Sequence, residues 1–305
     1  MSELLPHQNL GTLLAPFYER PSLDADDGLV EELETLFKST DFDDFDFHQF
    51  IVELIKTPYW LSNDYPNNKI KDLCLRLSKY IEISYRASLD EPAYHSRLHF
   101  KDVCLGLTVL LGARIDLNSQ SNDLGWRLEK KDAWILLLTA IAHDFCHDGR
   151  LNHEPFEMER ISLDKFNQWM KISGAEKALI QELMTYIEPL ILATDPKYFH
   201  ALIQKISNLT QPPAKIDRMG TVLVEADLMA SALPKRGLHL GRLLAKEWEK
   251  LNPQASLYVQ SKQGRLGFLV NILFLSPQSQ ALGIERVRTS LIDQMEAEGT
   301  VPEVF

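Results

Sequence analysis

The chain has 305 residues, of which 45% are hydrophobic and 25% charged, as in ordinary soluble globular proteins. The formal net charge of -11 argues against a nucleic-acid-binding surface, although a metal ion could give an acidic protein a site for small anionic substrates. The longest apolar runs are too short to span a bilayer, and the N-terminus lacks the pattern of a secretory signal. Cys74, Cys104 and Cys146 have no paired spacing, which argues against a disulfide framework. We therefore expect a cytoplasmic protein without a membrane partner.

Helical periodicity dominates the chain, and no stretch shows the alternating pattern with hairpin turns that predicts strands. Apolar residues recur at helical spacing in the stretches 29–37, 49–62, 68–87, 94–112, 133–149, 154–190, 221–233 and 267–275. Gly112 is expected to end one helix, and the central helix is expected to have Asp132 as its N-cap and Gly149 as its end. A polar loop is expected at 118–125. The sequence therefore predicts an all-α fold.

No shift in composition marks a domain boundary. We expect one domain, in which residues 1–90 form an N-terminal helical cap, residues 91–290 form the core and residues 291–305 form a polar tail.

An apolar run in the middle of the chain ends abruptly in ionisable residues. Residues 133–142 carry no charge, and His143, Asp144, His147 and Asp148 follow without a linker. Ionisable groups at the end of a buried element are costly unless they are partnered, and a divalent cation is the usual partner of adjacent His and Asp. A surface helix end with solvated charges is the alternative.

A second histidine pair repeats the spacing of His143 and His147. His95 and His99 are four residues apart, which would place both on one face of a helix. Asp227 is an isolated acid in the apolar stretch VLVEADLMAS, where it could also be an ordinary helix-surface residue. Two spaced pairs and an adjacent His-Asp favour a metal site.

Five short stretches, in order, resemble the motifs of class I cyclic nucleotide phosphodiesterases, which belong to the wider HD-domain metal phosphohydrolases. The stretches are YHSRLHFKDV at 94–103, HDFCHDGRLN at 143–152, ILATD at 191–195, AD at 226–227 and GF at 267–268. They resemble Y-H-N-x-x-H-A-x-D-V, H-D-x-x-H-x-G-x-x-N, I-L-A-T-D, A-D and the end of Q-V-G-F-I-D-F.

The resemblance implies a helical fold with two divalent metal ions. The first, zinc-like ion would be held by His99, His143, Asp144 and Asp227. Asp144 would bridge to a second ion, magnesium or manganese. Imidazole with carboxylate suits zinc, and a site of carboxylate and water suits a harder cation.

The resemblance also implies supporting residues around the two metals. His147 would hold a water of the second ion, and Asp102 and Asp195 would orient imidazoles. Glu157 or Glu159 would assist His147.

In the implied mechanism, a hydroxide bridging the two ions attacks phosphorus, and His95 protonates the leaving alkoxide as the general acid. Phe268 matches the aromatic residue that stacks on the purine, although a core phenylalanine is the alternative. The substrate would be a small nucleotide or phosphoester.

Three residues depart from the family pattern. Ser96 and Ala230 stand where asparagine is expected, and Arg265 stands where the family has its purine-binding glutamine. Gln263 is two residues away and would need a local shift. An amide both donates and accepts hydrogen bonds, whereas arginine only donates, so Arg265 could contact a phosphate or a carbonyl-rich base.

The leading interpretation is a metal-dependent 3′,5′-cyclic nucleotide phosphodiesterase. The alternatives are an HD-type phosphohydrolase of another nucleotide, such as a guanosine polyphosphate or a nucleoside phosphate, and a nucleotide sensor without catalysis. The sequence indicates neither the natural substrate nor the oligomeric state.

Overall fold

The structure, a computed structural model, describes residues 9–19, 28–41, 45–88, 91–114, 126–209 and 213–298. This part of the chain contains helices and no strand, which confirms the all-α prediction. The helices are α1 (Leu10–Glu19), α2 (Gly28–Lys38), α3 (Phe47–Leu54), α4 (Pro58–Ser62), α5 (Lys69–Ala87), α6 (Arg97–Gly112), α7 (Lys130–Ala142), α8 (Glu157–Ile172), α9 (Lys177–Leu192), α10 (Pro196–Ser207), α11 (Lys215–Ala232), α12 (Pro234–Trp248), α13 (Pro253–Gln260), α14 (Lys262–Asn271), α15 (Pro277–Leu282) and α16 (Ile284–Ala297).

Three helices, α6, α7 and α11, form the centre of the fold. Helix α7 is buried from Asp132 to Ala142 and α6 from His99 to Leu110, so neither has a solvent-facing side over these turns. Helices that are apolar on all sides belong in the interior. The candidate metal ligands lie on these three helices or directly after them.

Helices α6 and α11 approach each other closely at Gly106. A Cβ at this position would lie 2.7 Å from the carbonyl oxygen of Ala226, the residue before Asp227. Only glycine leaves room for this approach, because real Cβ contacts are longer. The distance between His99 on α6 and Asp227 on α11 therefore depends on Gly106.

Glu225 ties helix α15 to helix α11. Its carboxylate is fully buried and accepts hydrogen bonds from the backbone N–H groups of Leu275 and Ser276 and from the hydroxyls of Ser276 and Ser279. Burial raises the pKa of Glu225 to about 7 although these hydrogen bonds oppose the shift. The carboxylate thus supplies the hydrogen-bond acceptor that the start of α15 needs.

Three helix ends near the site differ from the prediction. Helix α6 begins at Arg97 with Ser96 as its N-cap, so His95 precedes the helix and does not share a helical face with His99. Helix α7 has Glu129 as its N-cap, not Asp132, because Asp132 closes a capping box on the Glu129 backbone N–H. Helix α7 ends at Ala142, not at Gly149, and residues 143–146 form turns.

Other boundaries also differ. The predicted helix over 49–62 is two helices, because the chain turns at 55–57 before Pro58. The predicted helix over 267–275 begins earlier, at Lys262, and ends at Asn271. The predicted boundary at 290 falls inside α16, and the division at residue 90 stays a prediction. The expected loop at 118–125 and the chain beyond 298 lie outside the described residues.

Within the described residues, no helix combines the length and the apolar content needed to cross a bilayer. Cys74 and Cys104 are buried and Cys146 is exposed, and all three are free thiols.

Replacing Gly106 by alanine should destabilise the fold by about 1–3 kcal/mol, because the added methyl group meets backbone that cannot move aside. Gly220 on α11 is a matched control, because a Cβ there would meet only side-chain atoms at 3.6 Å or more. Gly220→Ala should stabilise by about 0.5–1 kcal/mol through helix propensity. Urea unfolding of both variants measures the difference, and equal stabilities would contradict the close approach.

Candidate metal centre

Four of the predicted ligands converge where α6, α7 and α11 meet. The Nε2 atom of His99 lies 3.3 Å from Asp144 Oδ2 and 3.2 Å from Asp227 Oδ1. The Nε2 atom of His143 lies 3.1 Å and 3.7 Å from the same two oxygens, and 3.3 Å from His99 Nε2. Ligand atoms about 2.0–2.2 Å from a zinc ion lie about 3.0–3.5 Å from their neighbours around it. The donor atoms of His99, His143 and Asp144 therefore fit one divalent ion, and Asp227 lies within reach of both imidazoles without joining that group.

The tautomer of His143 suits a metal ligand. Its Nδ1 lies 2.8 Å from the carbonyl oxygen of Ala140. A carbonyl oxygen can only accept, so Nδ1 carries the proton and Nε2 presents its lone pair to the other three side chains.

Three of these side chains have pKa values shifted by burial and by their charged neighbours. Burial lowers the pKa of His99, but Tyr94, Asp144 and Asp227 outweigh it, so the pKa lies well above its ordinary value. The pKa of His143 is also raised, because Asp144 outweighs burial. Burial alone would raise the pKa of Asp144, and the two imidazoles hold it well below its usual range.

His95 lies beside this cluster and is held by Glu247 from α12. The Nδ1 atom of His95 is 2.5 Å from Glu247 Oε1, and Glu247 Oε2 accepts the backbone N–H groups of Tyr94 and His95 at 2.7 and 3.1 Å. Burial raises the pKa of Glu247, and the hydrogen bonds with His95 and the backbone lower it further than burial raises it. The carboxylate fixes the Nδ1–H tautomer, which leaves Nε2 of His95 for a substrate.

The imidazole of His147 stacks on that of His95, with ring centroids 3.6 Å apart and planes 19° apart. Burial and the neighbouring His95 lower the pKa of His147 to about 4, so it is neutral at physiological pH. His147 Nδ1 accepts the backbone N–H of Gly149. Donor atoms of His95, His147 and Glu247 lie within 4.8 Å of one another, but a metal lies in the plane of each imidazole it binds, and stacked rings cannot share one. This trio suits proton handling better than chelation.

Of the two glutamates considered for the second metal, Glu159 lies in the interior. Asn152 donates hydrogen bonds from Nδ2 to both Glu159 and Asp195. Burial raises the pKa of Glu159. Glu157 is directed elsewhere, because it accepts the backbone N–H of His153 and pairs with Arg150.

Two acids expected to orient imidazoles have other partners. Asp195 caps helix α10 and also accepts from Asn152 and from the backbone N–H of Phe156. Asp102 is buried and binds the guanidinium of Arg236, at 2.9 and 2.7 Å. Through these hydrogen bonds, the two acids hold backbone N–H groups, an amide and an arginine. The contacts observed do not show either acid orienting an imidazole.

Arg265 donates its hydrogen bonds to backbone carbonyl groups. Its guanidinium donates to the carbonyl oxygens of Ser231 and Leu233 at the end of α11, and burial lowers its pKa to about 10. Phe268 is half-buried, with its ring 5.7 Å from the Arg265 guanidinium. Gln263 is exposed. The expectation that Arg265 contacts a phosphate or a base is therefore at odds with its observed partners.

Sequence reasoning missed Glu247. It lies in the stretch KEWEK, which reads as a solvated helix surface. Its side chain is nevertheless only 4% exposed. No local pattern distinguishes it, because its partner His95 is 152 residues away.

No family model matches this sequence, and no curated protein matches it. Among solved structures, the phosphodiesterase domain of the RhoPDE fusion protein from the choanoflagellate Salpingoeca rosetta matches with a TM-score of 0.52 and 14% identity, over 92% of each chain. This chain has the phosphodiesterase fold. LmjPDEB1, in complex with IBMX, matches with a TM-score of 0.50 and 14% identity, over 91% of this chain and 97% of that one. The likeness confirms the resemblance drawn from the motifs at the level of the fold.

Zinc affinity should rise with pH between 6 and 8. The raised pKa values of His99 and His143 mean that a metal must displace protons, and each displaced proton changes the apparent affinity by up to about tenfold per pH unit. Competition with a chromophoric chelator at pH 6, 7 and 8 measures this. An affinity that does not vary with pH would contradict the protonated state of the cluster.

Proposed function

We propose that this protein is a metal-dependent hydrolase of phosphodiester bonds, with 3′,5′-cyclic nucleotides as the leading substrate class. The observation that carries the proposal is the position of the His95–Glu247 pair beside four converging metal-ligand side chains. A phosphodiester needs charge stabilisation at phosphorus and a proton for its leaving group. The two groups of side chains suit these two tasks.

His99, His143, Asp144 and Asp227 would hold the first ion, and Asp144 would also face a second, with His147, Glu159 and Asp195 nearby. When bound, divalent ions supply an activated water and stabilise negative charge on phosphoryl oxygens. Two imidazoles and two carboxylates suit zinc at the first position, and the oxygen-rich second position suits magnesium or manganese.

His95 would deliver the proton to the leaving oxygen from Nε2. Glu247 orients the ring for this transfer, because its carboxylate accepts a hydrogen bond from Nδ1. His147 stays neutral beneath the ring, so His95 can carry charge without a second cation stacked on it. Once the proton has left Nε2, the Glu247 hydrogen bond still holds the ring in place.

A second candidate, a phosphohydrolase of another nucleotide, gains support from Arg265. Because its guanidinium is bound to the carbonyl groups of Ser231 and Leu233, it is poorly placed to read a purine edge. Phe268 could still stack on a base. Assays with cyclic AMP, cyclic GMP, nucleoside phosphates, guanosine polyphosphates and bis-p-nitrophenyl phosphate, in manganese or magnesium, distinguish the two candidates.

We also propose a small-molecule nucleotide or phosphoester as the partner and the cytoplasm as the location. The free thiols suit a reducing compartment.

Asp227→Ala should remove a ligand of the first ion. We expect the purified variant to lose bound metal and at least about 100-fold in kcat, because a metal site that lacks one of its charged ligands holds its ion poorly. Asp148→Ala is the matched control, since Asp148 lies next to His147 but its side chain is 55% exposed. A folded Asp227→Ala protein with full metal content and activity would contradict the metal assignment.

His95→Gln should keep metal content and lose activity in proportion to how poor the leaving group is. General acids contribute about 10²–10⁴-fold, so cyclic AMP hydrolysis should fall by that order. Bis-p-nitrophenyl phosphate needs little protonation of its leaving group and should fall much less. An equal loss for the two esters would mean that His95 is not the acid.

A further inference from the structure

Helix α12, which carries Glu247, has few fully buried apolar side chains. Of its 15 residues, Leu240 and Ala245 are fully buried and apolar, and Leu243, Leu244 and Trp248 are partly buried. Polar contacts therefore share in fixing its position, and Glu247 must meet His95 at hydrogen-bond distance.

Charged side chains attach α12 to α6 and its N-terminal flank at both ends. Near the start of α12, Arg236 donates from Nε and Nη2 to Asp102 Oδ2, on the second turn of α6. Near the end, Glu247 binds the backbone of Tyr94 and His95, just before α6 begins. The two helices thus run in opposite directions and are joined at two points about 16 Å apart along α12, from 11 residues at 1.5 Å each.

The Arg236 attachment is built as a balanced, buried ion cluster. Arg236 also binds Asp41, which follows α2, and Lys101 pairs with both Asp41 and Asp102. Lys101, Asp102 and Arg236 are all more than nine-tenths buried. Two cations and two anions compensate one another. The Arg236 contacts are also directional, because arginine binds carboxylates through a planar fork.

Helix α2 strengthens the same attachment. The carboxylate of Glu34 accepts the backbone N–H groups of Lys235 and Arg236, at 2.6 and 2.9 Å. This satisfies free donors in the first turn of α12, which has no side-chain cap of its own. The start of α12 is therefore fixed in position and direction.

We propose that Arg236 is a positioning residue for the general acid: by fixing α12 on Asp102, it sets where Glu247 holds the imidazole of His95. The inference rests on the proposed function, because it takes His95 as the proton donor. Arg236 contacts none of the four metal-ligand side chains through its observed hydrogen bonds.

The test compares two esters in Arg236→Met. We expect kcat for cyclic AMP to fall about tenfold or more and kcat for bis-p-nitrophenyl phosphate to stay within about twofold, because only the first needs full protonation of its leaving group. Metal content should not change. An equal fall in kcat for the two esters in folded, metal-loaded Arg236→Met would overturn the proposal.

A second variant covers misfolding, since an unpaired Asp102 is costly in the interior. Arg236→Met combined with Asp102→Asn removes one charge of each sign and leaves Lys101 paired with Asp41. It should show the same difference between the two esters. Lys215→Met is the matched control, because Lys215 pairs at 2.8 Å with the buried Asp132 at the far end of α11 from Asp227. It should affect both esters equally.

A spectroscopic measurement separates this inference from the proposed function. The short hydrogen bond between His95 Nδ1 and Glu247 should give a downfield N–H proton resonance that His95→Gln removes. Both Arg236 variants should weaken or shift it, and Lys215→Met should not. If the wild type hydrolyses neither ester, the proposed function fails and the resonance alone decides. An unchanged signal in both Arg236 variants would overturn the inference.

Discussion

Two carboxylates and two imidazoles meet in the interior, at the point where three apolar helices come together. Buried charges of this kind are tolerated only when they compensate one another. The opposite pKa shifts of the two imidazoles and of Asp144 reflect this compensation. A divalent ion held by the same side chains would place its charge at the centre of the group. The packing of the surrounding helices must therefore bring these opposite charges together.

A close backbone approach positions the candidate metal ligands, whereas long-range ion pairs position His95. Gly106 lets α6 and α11 approach until the ligand atoms are 3.2 Å apart. On the other side, Arg236 and Glu247 join α12 to α6 and its N-terminal flank. The positions of the candidate metal ligands thus depend on shape, and the position of His95 depends on charge. A substitution can in principle damage one group without the other.

Sequence patterns predicted the all-α class and the residues that converge, because motif order and apolar periodicity are local properties. They predicted helix ends less well. His95 was expected on a helix because its spacing to His99 is helical, but the chain bends at 93–96 and Ser96 starts the helix. Asp132 was expected as the N-cap, and its carboxylate instead closes the capping box from inside the helix. Glu247, Glu225 and Arg236 could not be predicted, since each has its side-chain partners 50 to 195 residues away.

The hydrogen bonds of the Arg265 guanidinium also bear on inhibition. An inhibitor built around paired amide hydrogen bonds would meet an arginine whose donors already serve Ser231 and Leu233, and Gly237 leaves no space for that arginine to be displaced towards α12, since a Cβ there would lie 2.2 Å from it. Under the proposed function, compounds selective for this chain would have to gain affinity from Phe268 and from an ion held by the candidate metal ligands. Planar, weakly polar rings that carry a metal-binding group fit that description better than nucleobase mimics.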